Sequence, residues 1–456
     1  MKYILITIFS SLLIAGPQAV QNFNWNGVDV VWLEEEKFPT YSVYIYYSDG
    51  ALADGALPGE TNSMFKLLTN GTSKLTQGQL AEQLDFLGSG FGSNITHEYT
   101  TLSYHGLVKD APEVTGILCD VLTDASYPES ELNTFKKKSI SGLNNLVANH
   151  GNLANRMFRK ISLGKTPFGS FVSGSKESIK KLSTKGLIAK RKYFNDKVYK
   201  KIFISGPKKT LRIGSIFKDK CNWSGEAKFK RASEVKQSVA PIKPSKKPTL
   251  YFAAVKGANQ AQIRMGNALP IDLFSQNKFD LTKLMTTILG GSFTSMLMQE
   301  LRVKRGLTYG VYSYAAPQAK YARSVLTTST KNKTVVEALN SIKTTLDQMT
   351  DSKFDKTRFE STKKFLKGKH LLRFESNSNY ISNLILFDHI QKNYKDLYNF
   401  SSILDTFKYK DVVNQAKDVF AWNKQMVFIL GDSSVLPKIK AMGEYEIKEV
   451  KVENYL

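Results

Sequence analysis

The side chains of this 456-residue chain that could do metal chemistry begin with five histidines, His97, His105, His150, His370 and His389. A metal gripped from one helix needs two ligands three or four residues apart, so that both side chains share a face. The closest pair, His97 and His105, is eight apart, so no one-helix site can form. His97 and Glu98 could be taken for an acid–base pair. Both are expected on a strand, however, where neighbouring side chains point to opposite faces. Gly290-Gly291 precedes a helix but lacks the Gly-x-x-x-x-Gly-Lys spacing of a phosphate loop, so it reads as a backbone turn. The sequons Asn70-Gly71-Thr72 and Asn94-Ile95-Thr96 matter only where the host glycosylates exported proteins.

Composition narrows the classes. The formal net charge is +24, from 64 Lys and Arg against 40 Asp and Glu. The surplus is scattered: Lys136-Lys137-Lys138 and Lys190-Arg191-Lys192 are short, and no nucleic-acid motif accompanies them. A solvated basic surface follows, with at most a hint of acidic partners or peptides. Met1-Lys2, the apolar run Tyr3 to Ala15 and the small-residue end Gly16-Pro17-Gln18-Ala19 read as a secretory signal peptide over 1–19. No stretch is long enough to span a bilayer. A soluble, exported protein, periplasmic or secreted, is expected. The two cysteines, Cys119 and Cys221, are not expected to bridge. Cys119 lies in the apolar helical pattern of Ile117, Leu118, Val121 and Leu122 and reads as a buried thiol.

The elements that must carry any site come in two echoing sets. Strands are expected over 29–33 and 41–47, with Pro39 at the turn between them, and again over 249–255 and 260–265. Helices are expected over 64–68, 76–87, 112–123 and 129–148, then over 280–289, 334–349 and 355–372. KIFISG, ending at Gly206, is matched by MVFILG, ending at Gly431. Lys137-Lys138 and Gly142 are matched by Lys363-Lys364 and Gly368 at nearly the same offset. Landmarks that keep one offset indicate an internal duplication. The polar, basic, proline-bearing stretch 228–248 separates the halves as a linker. The expected organisation is therefore a signal peptide over 1–19, a first domain over 20–227 and a second over 249–456. Strands followed by helices in each half give an α+β fold rather than a doubly wound parallel sheet.

Several segments together resemble the pitrilysin/insulinase-like zinc metallopeptidases. The opening NGVDVVWLEEEKFPTYSVYIYYSDGALAD is similar to that family's first hairpin. LGSGFGSNITHEYTTLSY and KGANQAQIRMG are also typical, and LGGSFTSMLMQELRVKRGLTYGVY, Leu289 to Tyr312, is close to the signature of its second domain. The resemblance covers nearly the whole chain after residue 19. It implies two homologous domains, each a mainly antiparallel β-sheet covered by helices, with pairs of domains closing around a substrate chamber. GETNSMFKLLTNGT, Gly59 to Thr72, then aligns with the helix that carries the inverted zinc motif H-x-x-E-H. Its two ligand positions and the glutamate between them fall on Asn62, Lys66 and Phe65. The distal glutamate ligand falls near Gly142, and neither Ser141 nor Leu143 beside it is acidic. Every position that would touch the metal or its water is replaced, so no metal is expected on this chain and no catalytic residue acts alone.

The opposite wall is kept. The resemblance implies that Arg302 and Tyr309, seven residues apart, reach across to the zinc site, bind the substrate backbone and steady the tetrahedral intermediate. A guanidinium and a phenol are donors suited to a developing oxyanion. Arg305 has the wrong spacing to Tyr309. The chain is thus expected to be the non-catalytic subunit of an exported heterodimeric zinc metallopeptidase. A zinc-bearing insulinase-like partner would cleave the peptide substrate; this chain would supply substrate-binding and transition-state-stabilising residues. The alternative is an inactive homologue that binds peptides or acts as a scaffold, with a homodimer possible. A chain like the substrate-recognition subunit of the processing peptidase fits less well, because its long glycine-rich loop is reduced here to Gly290-Gly291-Ser292 and an export signal points away from the organellar matrix.

Overall fold

A computed structural model describes residues 20–25, 27–164, 166–223, 243–269, 278–317 and 322–456. The leader 1–19 and most of the linker 228–248 lie outside the described residues. The first half carries β1 (Val20–Trp25), β2 (Val28–Glu34), β3 (Thr40–Tyr47), β4 (Phe91–Ile95), β5 (Thr100–Leu107) and β6 (Lys200–Gly206). The second carries β7 (Thr249–Ala254), β8 (Gln260–Leu269), β9 (Val311–Pro317), β10 (Ala322–Lys331), β11 (Met426–Gly431) and β12 (Glu446–Glu449). They form two six-stranded sheets, in the orders β1-β2-β6-β3-β5-β4 and β12-β7-β11-β8-β10-β9.

The duplication is plain in this topology. β6 lies parallel to β2 and antiparallel to β3, and β11 lies parallel to β7 and antiparallel to β8. The matched segments ending at Gly206 and Gly431 therefore hold the same place in their sheets. One expectation is corrected here. Strands β2 and β3 do not pair as a hairpin, because β6 inserts between them. The hairpin that does form is β1 with β2, and β1 starts at the residue that follows the expected leader.

Strand alternation explains how the sheets are covered. Val30 and Trp32 of β2, Val43 and Ile45 of β3, and Ile202 and Ile204 of β6 face their own half's helices. Val31, Leu33, Tyr46 and Phe203 point to the other face and meet Tyr380, Ile381, Leu384 and Ile385 on helix Asn377–His389 of the second half. The second sheet repeats this in reverse. Leu250, Phe252, Ile263, Val427 and Ile429 pack on its own helices. Ala253, Val325, Phe428 and Leu430 receive Leu153, Ala154, Met157 and Phe158 from helix His150–Leu163 of the first half. Each half thus lends one helix to the far face of the other's sheet.

Polar ties register the exchange. Arg264, buried on β8, donates to Asn155 Oδ1 at 2.6 Å and to the Gly151 carbonyl at 3.0 Å. On the other side His389 lies 3.0 Å from the Tyr46 hydroxyl and 3.3 Å from the buried Glu98 carboxylate, and Lys201 pairs with Asp388 at 2.6 Å. His97 and Glu98 sit in the turn between β4 and β5 rather than on a strand. They still serve different partners: Glu98 meets His389, while His97 lies against the Ser170 carbonyl at 2.9 Å and Arg159 at 2.7 Å.

The cysteines are also corrected. Cys119 on helix Ala111–Asp124 and Cys221, just beyond helix Gly214–Asp219, form a disulfide with Cα atoms 4.6 Å apart. Both are fully buried, so burial was read correctly and the thiol was not. The two helices pack side by side, which 102 residues of separation conceal in the sequence.

Closing a loop of that length removes chain entropy worth about 5 kcal/mol. Cys119→Ser with Cys221→Ser should lower unfolding stability by roughly 2–5 kcal/mol in urea, and the unreduced, denatured parent should show no free thiol. A second expectation concerns acid. Burial, and then the neighbouring Arg159, hold the His97 imidazole down to about 4. Above the ordinary histidine value both folded and unfolded chains hold it neutral. Between about 6.5 and 4 the unfolded chain takes a proton that the native state refuses. Stability should therefore fall as pH drops through that window, by up to roughly 3 kcal/mol from this group. His97→Gln should flatten the slope of urea midpoint against pH.

Candidate functional site

The degenerate helix spans Glu60–Lys66 and is built as carefully as an active one. Gly59 precedes it at φ 95°, and a Cβ there would come within 2.7 Å of Gly174 backbone, so only glycine fits. The buried Asp54 carboxylate accepts from the Gly59 and Thr61 amides at 2.7 and 2.8 Å, capping the helix. Burial raises the Asp54 carboxyl above its usual range, against the pull of those amides and of Lys190. Lys190 bonds the Ala53 carbonyl at 2.6 Å and pairs with Glu60 at 3.3 Å, fixing the helix against helix Thr184–Asp196.

On this frame the three motif positions go different ways. Phe65 is 4% exposed and enters an aromatic triad, 5.6 Å from Tyr47 and 5.2 Å from Phe194 between ring centroids. Asn62 is buried and Lys66 is exposed. Near the distal position, Gly142 and Ser141 on helix Glu129–Asn145 are exposed, whereas Leu143 joins the core that holds Phe65. The residue facing inward there is thus a leucine. Nothing at these positions can hold zinc: an amide, a phenyl ring, an ammonium and an alkyl chain are the wrong donor set. Among the described residues no group of three or more His, Cys, Asp or Glu side chains could hold a metal ion elsewhere.

The second-half signature is arranged for presentation. Helix Lys278–Gly290 ends where a Cβ on Gly290 would come within 2.7 Å of the Ser313 backbone, so β9 lies hard against it. A π-helical turn follows over Met298–Lys304, a form common at functional sites. It buries Met298 and Leu301 and turns Arg302 outward. The Leu307 amide bonds the Leu301 carbonyl at 2.8 Å, and Gly306 sits at φ 62°. Thr328 of β10 bonds Thr308 Oγ1 and the Gly310 carbonyl at 3.0 and 2.9 Å. That pins both flanks of Tyr309 and leaves the phenol 86% exposed.

Arg302 lies over the Phe293 ring at 5.4 Å and has no carboxylate partner among the described residues. Arg305 is tied to Glu300 at 2.8 Å and Glu337 at 3.3 Å, so the geometry also sets it aside. Exposed Phe293, Tyr312 and Tyr314 extend this face. Sequence reading did not single them out. The alternation of β9, with Val311 and Ser313 buried between outward tyrosines, was the available signal.

Two helix-exchanged sheet domains, one with a zinc-motif helix emptied of ligands, define an inactive homologue of a metallopeptidase. Comparison with known proteins agrees. Residues 30–172 match the family model for insulinase (peptidase family M16), and residues 220–366 match that for the peptidase M16 inactive domain. The non-peptidase homolog YmxG of Helicobacter pylori is 25% identical over 387 residues, covering 83% of this chain and 86% of that protein. A peptidase M16 inactive domain structure from Pseudomonas fluorescens superposes with a TM-score of 0.80 at 20% identity, over 91% of this chain and 98% of that one. The periplasmic protease PqqL of Escherichia coli gives 0.69 at 11% identity, over 95% of this chain but 49% of its own. The chain belongs to the insulinase family, M16.

Restoring the motif's acid should fail structurally. Phe65→Glu places a carboxylate between the Tyr47 and Phe194 rings and should cost at least about 3 kcal/mol of unfolding stability. Lys66→His, on the exposed side, should change it by less than about 0.5 kcal/mol. Equal stability of the two variants would show that position 65 still faces solvent.

Proposed function

We propose that this chain is the non-catalytic subunit of an exported two-chain zinc peptidase. A zinc-bearing member of the same family would be its partner, and peptides the substrate. The observation that carries this reading is an asymmetry between the halves. Phe65 is absorbed into a core, while Arg302 and Tyr309 stand exposed on a braced loop with no role in packing. Two donors held outward in this way suit an oxyanion that develops on a substrate bound across from them. The reading is supported by the likeness to PqqL, a chain of which this fold covers 49%. The disulfide suits an oxidising compartment, and so an exported protein. Among the described residues no helix is long and apolar enough to cross a membrane.

A second reading, a peptide-binding scaffold, is favoured by one feature. β9 is an edge strand without a charged residue and carries outward Tyr312 and Tyr314. Such an edge can accept an extended peptide.

The purified chain should neither cleave peptides nor bind stoichiometric zinc. Mixed with a zinc-bearing homologue from the same genome, it should raise turnover. Tyr309→Phe should then cut kcat by about 10²–10³ while leaving assembly intact. Zinc or cleavage by the lone chain would end the division of labour. Undiminished turnover with Tyr309→Phe would remove the phenol from the chemistry, and peptide binding without any activating partner would favour the scaffold.

A further inference from the structure

Away from the signature loop, four segments of the second half bring together more positive charge than they neutralise. Helix Lys278–Gly290 supplies Asp280 and Lys283. Helix Lys356–Leu371 supplies Lys369 and His370, and the turn after it supplies Arg373. Lys392 follows helix Asn377–His389. Asp280, the one carboxylate among them, pairs with Lys392 at 3.3 Å, with both side chains buried, and also attracts Lys283 and Arg373, so one negative charge is shared by three cations.

Lys283 and Arg373 have no hydrogen-bonded or ion-paired partner among the described residues. Both lie against one ring, Phe400, at 4.4 and 5.9 Å from its centroid, and His370 stacks on that ring at 4.5 Å. A ring quadrupole attracts a cation but does not neutralise it, and a cation withdrawn from water needs a counter-charge. Burial, and then Arg373, pull the Lys283 ammonium down to about 7. His370 offers no relief, since its Nε2 is engaged with the Leu397 carbonyl at 2.7 Å.

We propose that Lys283 and Arg373 form the floor of an oxyanion-binding site, with Lys369 at its rim. The ligand is a small carboxylate or phosphate group. Exposed Leu371 and Leu372, 61% and 54% accessible beside Arg373, supply an apolar flank. They favour a carboxylate attached to an aliphatic group, such as the C-terminal end of an apolar peptide. An anion seated there supplies the missing counter-charge and returns the proton that Lys283 loses near neutral pH.

The test is calorimetric titration of the whole chain at constant ionic strength with inorganic phosphate and, separately, with N-acetyl-leucine. At least one should bind saturably with one site per chain. Affinity should fall about tenfold or more in Lys283→Met and in Arg373→Met. It should persist in Lys283→Arg and in the exposed control Lys364→Met. Near pH 7, heats of N-acetyl-leucine binding in buffers of different ionisation enthalpy should show proton uptake by the parent and none by Lys283→Met, the ligand itself being fully ionised there. Tighter N-acetyl-leucine assigns the site to a peptide carboxylate; tighter phosphate assigns it to a phosphate group. Failure of both ligands to saturate the folded parent overturns the proposal, as does affinity undiminished from the parent's in Lys283→Met and Arg373→Met. Neither result bears on Tyr309 or on assembly.

Discussion

Everything in this molecule depends on the exchange of one helix between its halves. Strands β2, β6, β7 and β11 carry apolar side chains on both faces. A strand of that kind cannot leave a face to water. The inner faces are satisfied locally. The outer faces are covered chiefly by helix Asn377–His389 on the first sheet and by helix His150–Leu163 on the second, where Val452 and Leu456 join it. Each half therefore depends on a helix of the other to cover its second face. Buried polar pairs then fix the angle. Arg264 reads the first turns of one lent helix, and Glu98 with Tyr46 reads the histidine at the end of the other. A buried charge left without its partner is costly, so these pairs resist sliding as well as separation.

That constraint explains how the metal site could be lost without loss of the fold. The motif helix is held by Gly59, Asp54 and the Lys190–Glu60 pair, none of which is a zinc ligand. With the frame independent of the metal, the ligand positions are free to follow local packing. Phe65 took the route of burial, adding a third ring to Tyr47 and Phe194. Aromatic pairs add roughly 0.5–1.5 kcal/mol beyond their buried area, so the helix gains an anchor where an active enzyme would carry a solvated carboxylate.

Much of this was legible in the sequence. The elements fell close to where periodicity put them, because long amphipathic helices such as Glu129–Asn145 and Val335–Thr350 have a clear apolar stripe. The duplication was visible through Gly206 and Gly431, where β6 and β11 stop. Pairing was not, since adjacency in sequence suggested a hairpin where β6 intervenes, and parallel insertion leaves no local mark. The disulfide was missed because nothing local distinguishes a buried thiol from a buried half-cystine. The helix exchange had a signal that went unused: Val30-Val31-Trp32-Leu33 is apolar without alternation, as a strand covered on both faces must be. Of the site, residue identities were readable, but the inward turn of Leu143 and the outward turn of Tyr309 are matters of packing and loop bracing.

The fold accounts for Phe65, Leu143 and Asp54 completely: each is buried and partnered where it lies. It does not account for Tyr309 or Arg302. A phenol 86% exposed adds little to the core, and the guanidinium lies over a surface phenylalanine with no ion pair among the described residues. The neighbouring loop is nonetheless strictly organised, by a π-helical turn, a left-handed glycine and two threonine hydroxyls on one strand. Ordering a loop costs about 1–2 kcal/mol of backbone entropy per residue, and here that order serves to aim two side chains away from the protein. That exposure is what the proposed role across a shared chamber rests on. Phe65, in contrast, is turned inward between Tyr47 and Phe194.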